Sequence, residues 1–148
     1  MAATMAAALV FCTICGQIGG GYLGDRINKR LTIFGCMWLH AAAMCVFAYA
    51  SSSTAAICFA VMHGLAWGVR GTLINSIRVD YFGGKSFATI TGFSSTIVMT
   101  GMIGGPLFAG FLRDWYGDYR VAFLSLAGLA ALGSIAMLVA SPPKRKSI

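Results

Sequence analysis

Gly16-Gln-Ile-Gly-Gly-Gly-Tyr-Leu-Gly-Asp-Arg-Ile-Asn-Lys-Arg-Leu31 lies between two apolar runs, each long enough to cross a bilayer. One acid and three bases, Asp25, Arg26, Lys29 and Arg30, fall within six residues of it. A short, basic, glycine-led turn between two spans counts under the positive-inside rule and marks its side of the membrane as cytoplasmic. The rest of the chain is read outward from this anchor.

Of the 148 residues, 58% are hydrophobic and 10% are charged. A soluble domain carries about 25% charged residues, so this chain lacks the polar surface that water would require. The net charge of +7 would point to nucleic acid in a soluble protein. Here the bases flank apolar runs, so membrane orientation and anionic headgroups account for them and no nucleic-acid partner is expected. The five cysteines, Cys12, Cys15, Cys36, Cys45 and Cys58, all lie inside apolar runs. Cys12 and Cys15 form a C-x-x-C pair without a βαβ context or a second pair, and read as small packing residues. The N-terminal Met-Ala-Ala-Thr-Met lacks the basic region of a signal peptide.

A spanning helix needs about 20 apolar residues. Five segments qualify, at about 3–23, 31–50, 54–77, 87–112 and 121–140, giving an all-α membrane protein organised as one transmembrane domain over residues 1–148. Prolines 142 and 143 stop the last span and lead into a basic tail, 141–148. The first loop, the third loop and the tail together carry eight Lys and Arg; the opposite side carries two, balanced by Asp114 and Asp118. This asymmetry places the tail and the C-terminus in the cytoplasm, and the N-terminus outside. An outside N-terminus without a cleavable signal suggests that something upstream is missing.

The spans differ in polarity. The second and fifth carry few polar groups: Thr32 and His40 in one, Ser125 and Ser134 in the other. The third carries His63, Arg70, Thr72, Asn75 and Ser76, and the fourth Thr89, Thr91, Ser94, Ser95, Thr96 and Thr100. Polar side chains facing lipid are costly, so the third and fourth spans should line an interior and the second and fifth lie at the lipid edge. The first, with Thr13 and Gln17, joins the interior set.

Arg70 lies three residues, about 5 Å, from the centre of its span. A guanidinium at that depth costs at least ~2.5 kcal/mol unless paired or hydrated. It reads as a fixed cation for an anionic substrate or as one partner of an intramembrane ion pair; the plainer reading is a snorkelling or carbonyl-capping side chain. His63, Trp67 and Arg70 share one helix face at i, i+4 and i+7. That face joins a titratable group, an aromatic wall and a cation, and His63 is either a carrier of a coupling proton or a packed, hydrogen-bonded residue. His40, alone on its span, reads as packing. The fourth span holds Gly92, Gly101, Gly104, Gly105 and Gly110, a ladder suited to close helix contact. Pro106 frees the carbonyl of Met102, so a bend is expected there, suited to a moving helix.

No enzyme is indicated. The four acids lie at membrane borders, and no G-x-S-x-G, H-E-x-x-H or phosphate-binding loop occurs. No cofactor and no metal is implied.

The run Gly20-Gly-Tyr-Leu-Gly-Asp25-Arg-Ile-Asn-Lys-Arg30 resembles the cytoplasmic signature of the major facilitator superfamily, roughly G-x-L-a-D-R-x-G-R-K, with Asn28 where glycine is usual. Tyr81-Phe-Gly83, Gly105-Pro-Leu-Phe-Ala-Gly110 and the Asp114, Gly117, Tyr119 turn resemble the last helices of monocarboxylate- and oxalate/formate-like facilitators. On that match the five spans correspond to the eighth to twelfth, part of one six-helix bundle. A rival placement sets Gly92, Gly101, Gly105-Pro106 and Ala109-Gly110 against the antiporter signature of the fifth span; the Asp114–Tyr119 turn and the basic tail favour the C-terminal half.

The resemblance implies a symporter or antiporter working by secondary active transport and alternating access. Gly21, Asp25, Arg26, Lys29 and Arg30 would form a cytoplasmic gate, with the start of the fourth span as a candidate contact. Arg70, His63, Trp67, Asn75, Gln17, Ser95 and Thr96 would serve substrate or coupling, and Gly101, Gly105, Pro106 and Gly110 helix bending and packing. The implied partners are the lipid bilayer, a small-molecule substrate such as an organic anion, and a missing half of the transporter. The implied location is the plasma, or bacterial inner, membrane. The alternative reading is a non-transporting membrane protein that docks on or assembles with a partner.

Overall fold

A computed structural model describes residues 2–140; the Pro-Pro basic tail and its cytoplasmic placement lie outside the described residues. Five helices run in order: α1 (Ala2–Gly24), α2 (Lys29–Ala48), α3 (Ser53–Phe82), α4 (Phe87–Tyr116) and α5 (Arg120–Val139). Each is long and apolar enough to cross a membrane. A single 3-10 turn, Gly84–Ser86, joins α3 to α4.

The helix ends follow from local chemistry. Asn28 caps α2: its side-chain oxygen accepts from the backbone N–H of Arg30 at 3.0 Å and of Leu31 at 3.4 Å. It does so in extended backbone, so the position where the signature usually has glycine works here as a cap rather than as a left-handed turn. Ser52 caps α3 through the N–H of Ala55. The third and fourth helices each overrun their apolar segments by about one turn, because polar residues at the interface continue a helix until the backbone is forced out of it. Gly83 (φ 74°) and Gly117 (φ 82°) supply those exits, in a region that residues with a Cβ avoid.

Packing runs from α1 onto α3, from α3 onto α2 and from α2 onto α5, with α4 meeting α5 and α3 sparsely. The closest contact is between α1 and α3. Gly16, Gly20 and Gly24 on α1 fall one turn apart and meet Leu65 and Gly68, Val69, and Leu73 of α3 in turn, while Gly64 and Gly68 of α3 meet Leu9 and Thr13 of α1. A Cβ added at Gly16 would lie 2.6 Å from the Leu65 carbonyl oxygen, one at Gly20 2.8 Å from the Val69 Cα, and one at Gly64 2.5 Å from the Leu9 carbonyl oxygen. Between helices in lipid, packing of this kind replaces the hydrophobic drive available in water. The Thr72 hydroxyl adds a bond across the seam to the Gln17 carbonyl oxygen (3.4 Å). Away from it, Ile33 of α2 and Leu73 and Ile77 of α3 form a buried cluster flanked by Met137 of α5. At the opposite end Phe47 stacks on Phe59 (4.4 Å between centroids) and meets Phe123 edge-on (4.9 Å).

Within the described residues, burial departs in two places from the polarity pattern. Helix α2 is not merely a lipid-edge helix: Ile33, His40, Ala41, Ala43 and Ala48 are buried in it, and Ser134 of α5 is buried as well. Small alanines and a serine let α2 and α5 approach neighbours closely, a signal that polarity alone does not carry. Conversely, α4 buries no residue. Its ladder of Gly92, Gly101, Gly104, Gly105 and Gly110 meets nothing within 4 Å, and the helix is continuous through Pro106. The close helix packing expected of that ladder belongs, within this chain, to the α1–α3 seam.

This difference sets a direct test. Gly68→Ala would press a Cβ against the Thr13 carbonyl oxygen and should destabilise the fold by about 1–3 kcal/mol. Gly104→Ala should change little or stabilise slightly, because its surroundings are open and alanine favours helix. Thermal unfolding of the two variants in detergent reads the contrast; equal shifts would contradict the seam.

Candidate substrate site and basic cluster

Arg70 lies close to the midpoint of α3. Its guanidinium carbon sits 4.7 Å over the Trp67 ring. Its side chain also lines a crevice of ≈ 300 Å³ together with Ile33 and Met37 of α2, Ile74 of α3, and Gly133, Ala136 and Met137 of α5. Apolar walls suit the aliphatic stem, and the indole face attracts the cation. Arg70 Nε is buried without a hydrogen-bond partner among the described residues. The ion pairs of the described residues engage Asp80, Asp114 and Asp118, none of them with Arg70. Among the described residues neither an acid partner nor carbonyl capping therefore accounts for this charge.

One turn along α3 from Trp67, the His63 ring stacks on the ring of His40, with centroids 4.1 Å apart and planes inclined by 28°. Trp67 lies 6.0 Å from His40 and 6.2 Å from His63, nearly parallel to both. Phe59 closes the other side of His63 at 5.1 Å. His40 is only 7% exposed. Both of its ring nitrogens, and Nδ1 of His63, are buried without a hydrogen-bond partner among the described residues. His40 was the residue that the sequence assigned to packing; the structure brings it into the centre of the His63–Trp67–Arg70 face. The signal that could have found it is the α2 stripe Ile33, Met37, His40, Ala41, Met44 and Ala48, which repeats at helical spacing.

The other candidates fall elsewhere. The Asn75 side chain is exposed and accepts from Arg78 at 3.0 Å. Gln17 is exposed, and it is its backbone carbonyl that meets Thr72. On α4, Thr96 donates to the Gly92 carbonyl of its own helix (3.1 Å), and Ser95 is half-buried. Arg70 is thus walled by α2 and α5, not by the α4 face that the polar pattern suggested.

At the end of the bundle that holds the α1–α2 turn, Lys29 pairs with Asp80 of α3 at 2.6 Å. Arg30 donates to the Ala140 carbonyl oxygen at the end of α5 (2.7 Å). Arg26 lies 4.4 Å over the Tyr22 ring, while Asp25 is exposed and has no ion pair among the described residues. The cluster ties α2 to α3 and α5; the contact expected at the start of α4 is not made. Gly21 has open space around it, whereas Gly20 and Gly24 of the same signature are used in the α1–α3 seam. No group of three or more His, Cys, Asp or Glu able to hold a metal occurs among the described residues.

The sequence profile described as Major Facilitator Superfamily matches residues 1–148. The chain belongs to that superfamily. Among its relatives, the rat protein named monocarboxylate transporter 13 is 25% identical over 144 residues, 95% of this chain and 33% of its own length. The human monocarboxylate transporter 11 is 27% identical over 142 residues, covering 87% of this chain and 30% of its own length. The hexuronate transporter of Bacillus subtilis (strain 168) is 24% identical over 149 residues, 91% of this chain and 35% of its own length. This facilitator chain spans about a third of the length of the curated relatives it matches.

The Lys29–Asp80 pair yields a measurable coupling. Its side chains keep 24% and 49% of their exposure, so screening is substantial. A double-mutant cycle with Lys29→Met and Asp80→Asn should give about 0.2–1 kcal/mol, shrinking as salt is raised. Unfolding in detergent at two ionic strengths checks it, and a coupling indifferent to salt would argue against a direct ion pair.

Proposed function

We propose that this chain is part of a secondary transporter that carries a small organic anion across the membrane by alternating access, with Arg70 as the fixed cation of the binding site. The observation that carries the reading is the half-buried Arg70 without an acid partner among the described residues. An uncompensated guanidinium at mid-membrane is tolerated where a mobile anion and water share its site. A carboxylate would satisfy its fork of donors in a bidentate contact, with Trp67 alongside as an apolar wall. The relatives' names, monocarboxylate and hexuronate transporters, are those of carriers of carboxylates and support the same class.

Asp25, Arg26, Lys29 and Arg30 act in this reading as a cytoplasmic gate, with Lys29 and Arg30 fastening α2 to the ends of α3 and α5. The open face of α4 packs against further helices of the transporter, and Gly101, Gly105, Pro106 and Gly110 then serve that contact. Its C-terminus lies in the cytoplasm of a plasma, or bacterial inner, membrane.

Radiolabelled lactate and glucuronate uptake into proteoliposomes of the intact native protein containing this chain tests the anion site. Arg70→Gln should lower kcat/KM about 10- to 100-fold, the loss of a charge-assisted bond, while Arg70→Lys keeps part of it. Unchanged uptake of both probes in both variants would remove Arg70 from the site.

A further inference from the structure

We propose that the cavity between the α2–α3 turn and the start of α5 binds the headgroup of a zwitterionic phospholipid, with Arg120 holding its phosphate and Asp118 its ammonium. The cavity measures ≈ 600 Å³ and opens at the end of the bundle away from the α1–α2 turn. Phe47, Tyr49 and Phe123 supply an aromatic wall, and Ser51, Asp118 and Arg120 a polar one. Its depth in the membrane selects the occupant. Tyr49, Trp115, Tyr116 and Tyr119 at this end are all exposed. Exposed Trp and Tyr at the ends of spans mark the level of lipid headgroups. On the orientation proposed above, that level belongs to the outer leaflet.

The two charges are positioned without satisfying each other. Asp118 Oδ1 accepts from the backbone N–H of Arg120 at 2.9 Å. Its Oδ2 lies 4.0 Å from Arg120 Nε, longer than a hydrogen bond. The guanidinium carbon sits 5.6 Å from the centre of the Tyr49 ring, so the cation rests on the cavity's own wall. Helices α3 and α5 both begin at this cavity, and the partial positive charge of each N-terminus adds to that of Arg120. A phosphate accepts a charge-assisted hydrogen bond from Arg120 on that side. An ammonium a few bonds from the phosphate then falls beside the Asp118 carboxylate. The apolar rings of Phe47 and Phe123 suit the glyceride that follows. A headgroup with a net negative charge and no ammonium matches Arg120 but leaves Asp118 unmatched, so the pair favours the zwitterion. Both side chains stay more than half exposed, which keeps each effect modest.

The test uses the intact native protein containing this chain in lipid nanodiscs. The probe is a phosphatidylethanolamine with a photoreactive diazirine next to its glycerol, and labelled peptides are read by mass spectrometry. Labels should fall within residues 47–53 and 118–123. Unlabelled phosphatidylethanolamine should compete about fivefold better than phosphatidylglycerol of the same acyl chains. Arg120→Gln should cut labelling about fivefold, and Arg120→Lys should keep part of it. Asp118→Asn, which can retain the Oδ1 bond, should keep the label and lose the preference between the two lipids. Equal competition by both lipids in the unmodified protein, or full labelling in Arg120→Gln, would overturn the proposal. So would competition by millimolar inorganic phosphate as strong as that by the lipid, which would make the ligand a free anion. Labels absent from both segments would mean that other parts of the protein fill the cavity, and equal loss in Arg120→Gln and Asp118→Asn that the turn itself is disturbed; either result overturns the assignment. None of these readouts depends on transport, so the anion reading of Arg70 stands or falls separately.

Discussion

The close approach of α1 and α3 is the constraint on which the other features depend. Gly16, Gly20, Gly64 and Gly68 bring the two backbones within a distance that no Cβ permits. Once that face of α3 is committed to α1, the remaining circumference is fixed by helical geometry. Leu73 and Ile77 pack with Ile33 of α2, His63 stacks on His40 of α2, and Arg70 turns to the space shared with α2 and α5. A seam made by absent side chains thus sets the direction of the polar ones.

This division explains how a charge is kept in mid-membrane. Arg70 shares a crevice with Ile33, Met37, Met137 and the small residues Gly133 and Ala136, and its guanidinium rests on Trp67. Each contact is apolar or quadrupolar and none neutralises the charge. The aromatic stack of Phe59, His63, His40 and Trp67 continues along the same wall.

The helices were readable in the sequence because five apolar runs of spanning length leave no other arrangement. Their ends were less so: Phe82 and Tyr116 stay helical past the apolar segments until Gly83 and Gly117 release the chain. Arg70, His63 and Trp67 were legible as one face, since helical spacing alone puts them there. His40 was not, because its partner is 23 residues away on another helix, and a lone histidine carries no mark of what it stacks on. The glycines misled in the same way. Those of α4 and those of the signature look alike in sequence, yet only Gly20 and Gly24 among them, with Gly16, have a helix against them. Composition shows where close approach is allowed; it does not show where a neighbour takes it up.

The most direct measurement is a cryo-electron microscopy structure of the intact native protein with lactate or glucuronate bound. A carboxylate within hydrogen-bond distance, roughly 3 Å, of the Arg70 guanidinium, beside the Trp67 ring, is the required result. An anion seated elsewhere, with Arg70 paired to an acid of another helix, would contradict the assignment and make Arg70 a structural ion-pair residue.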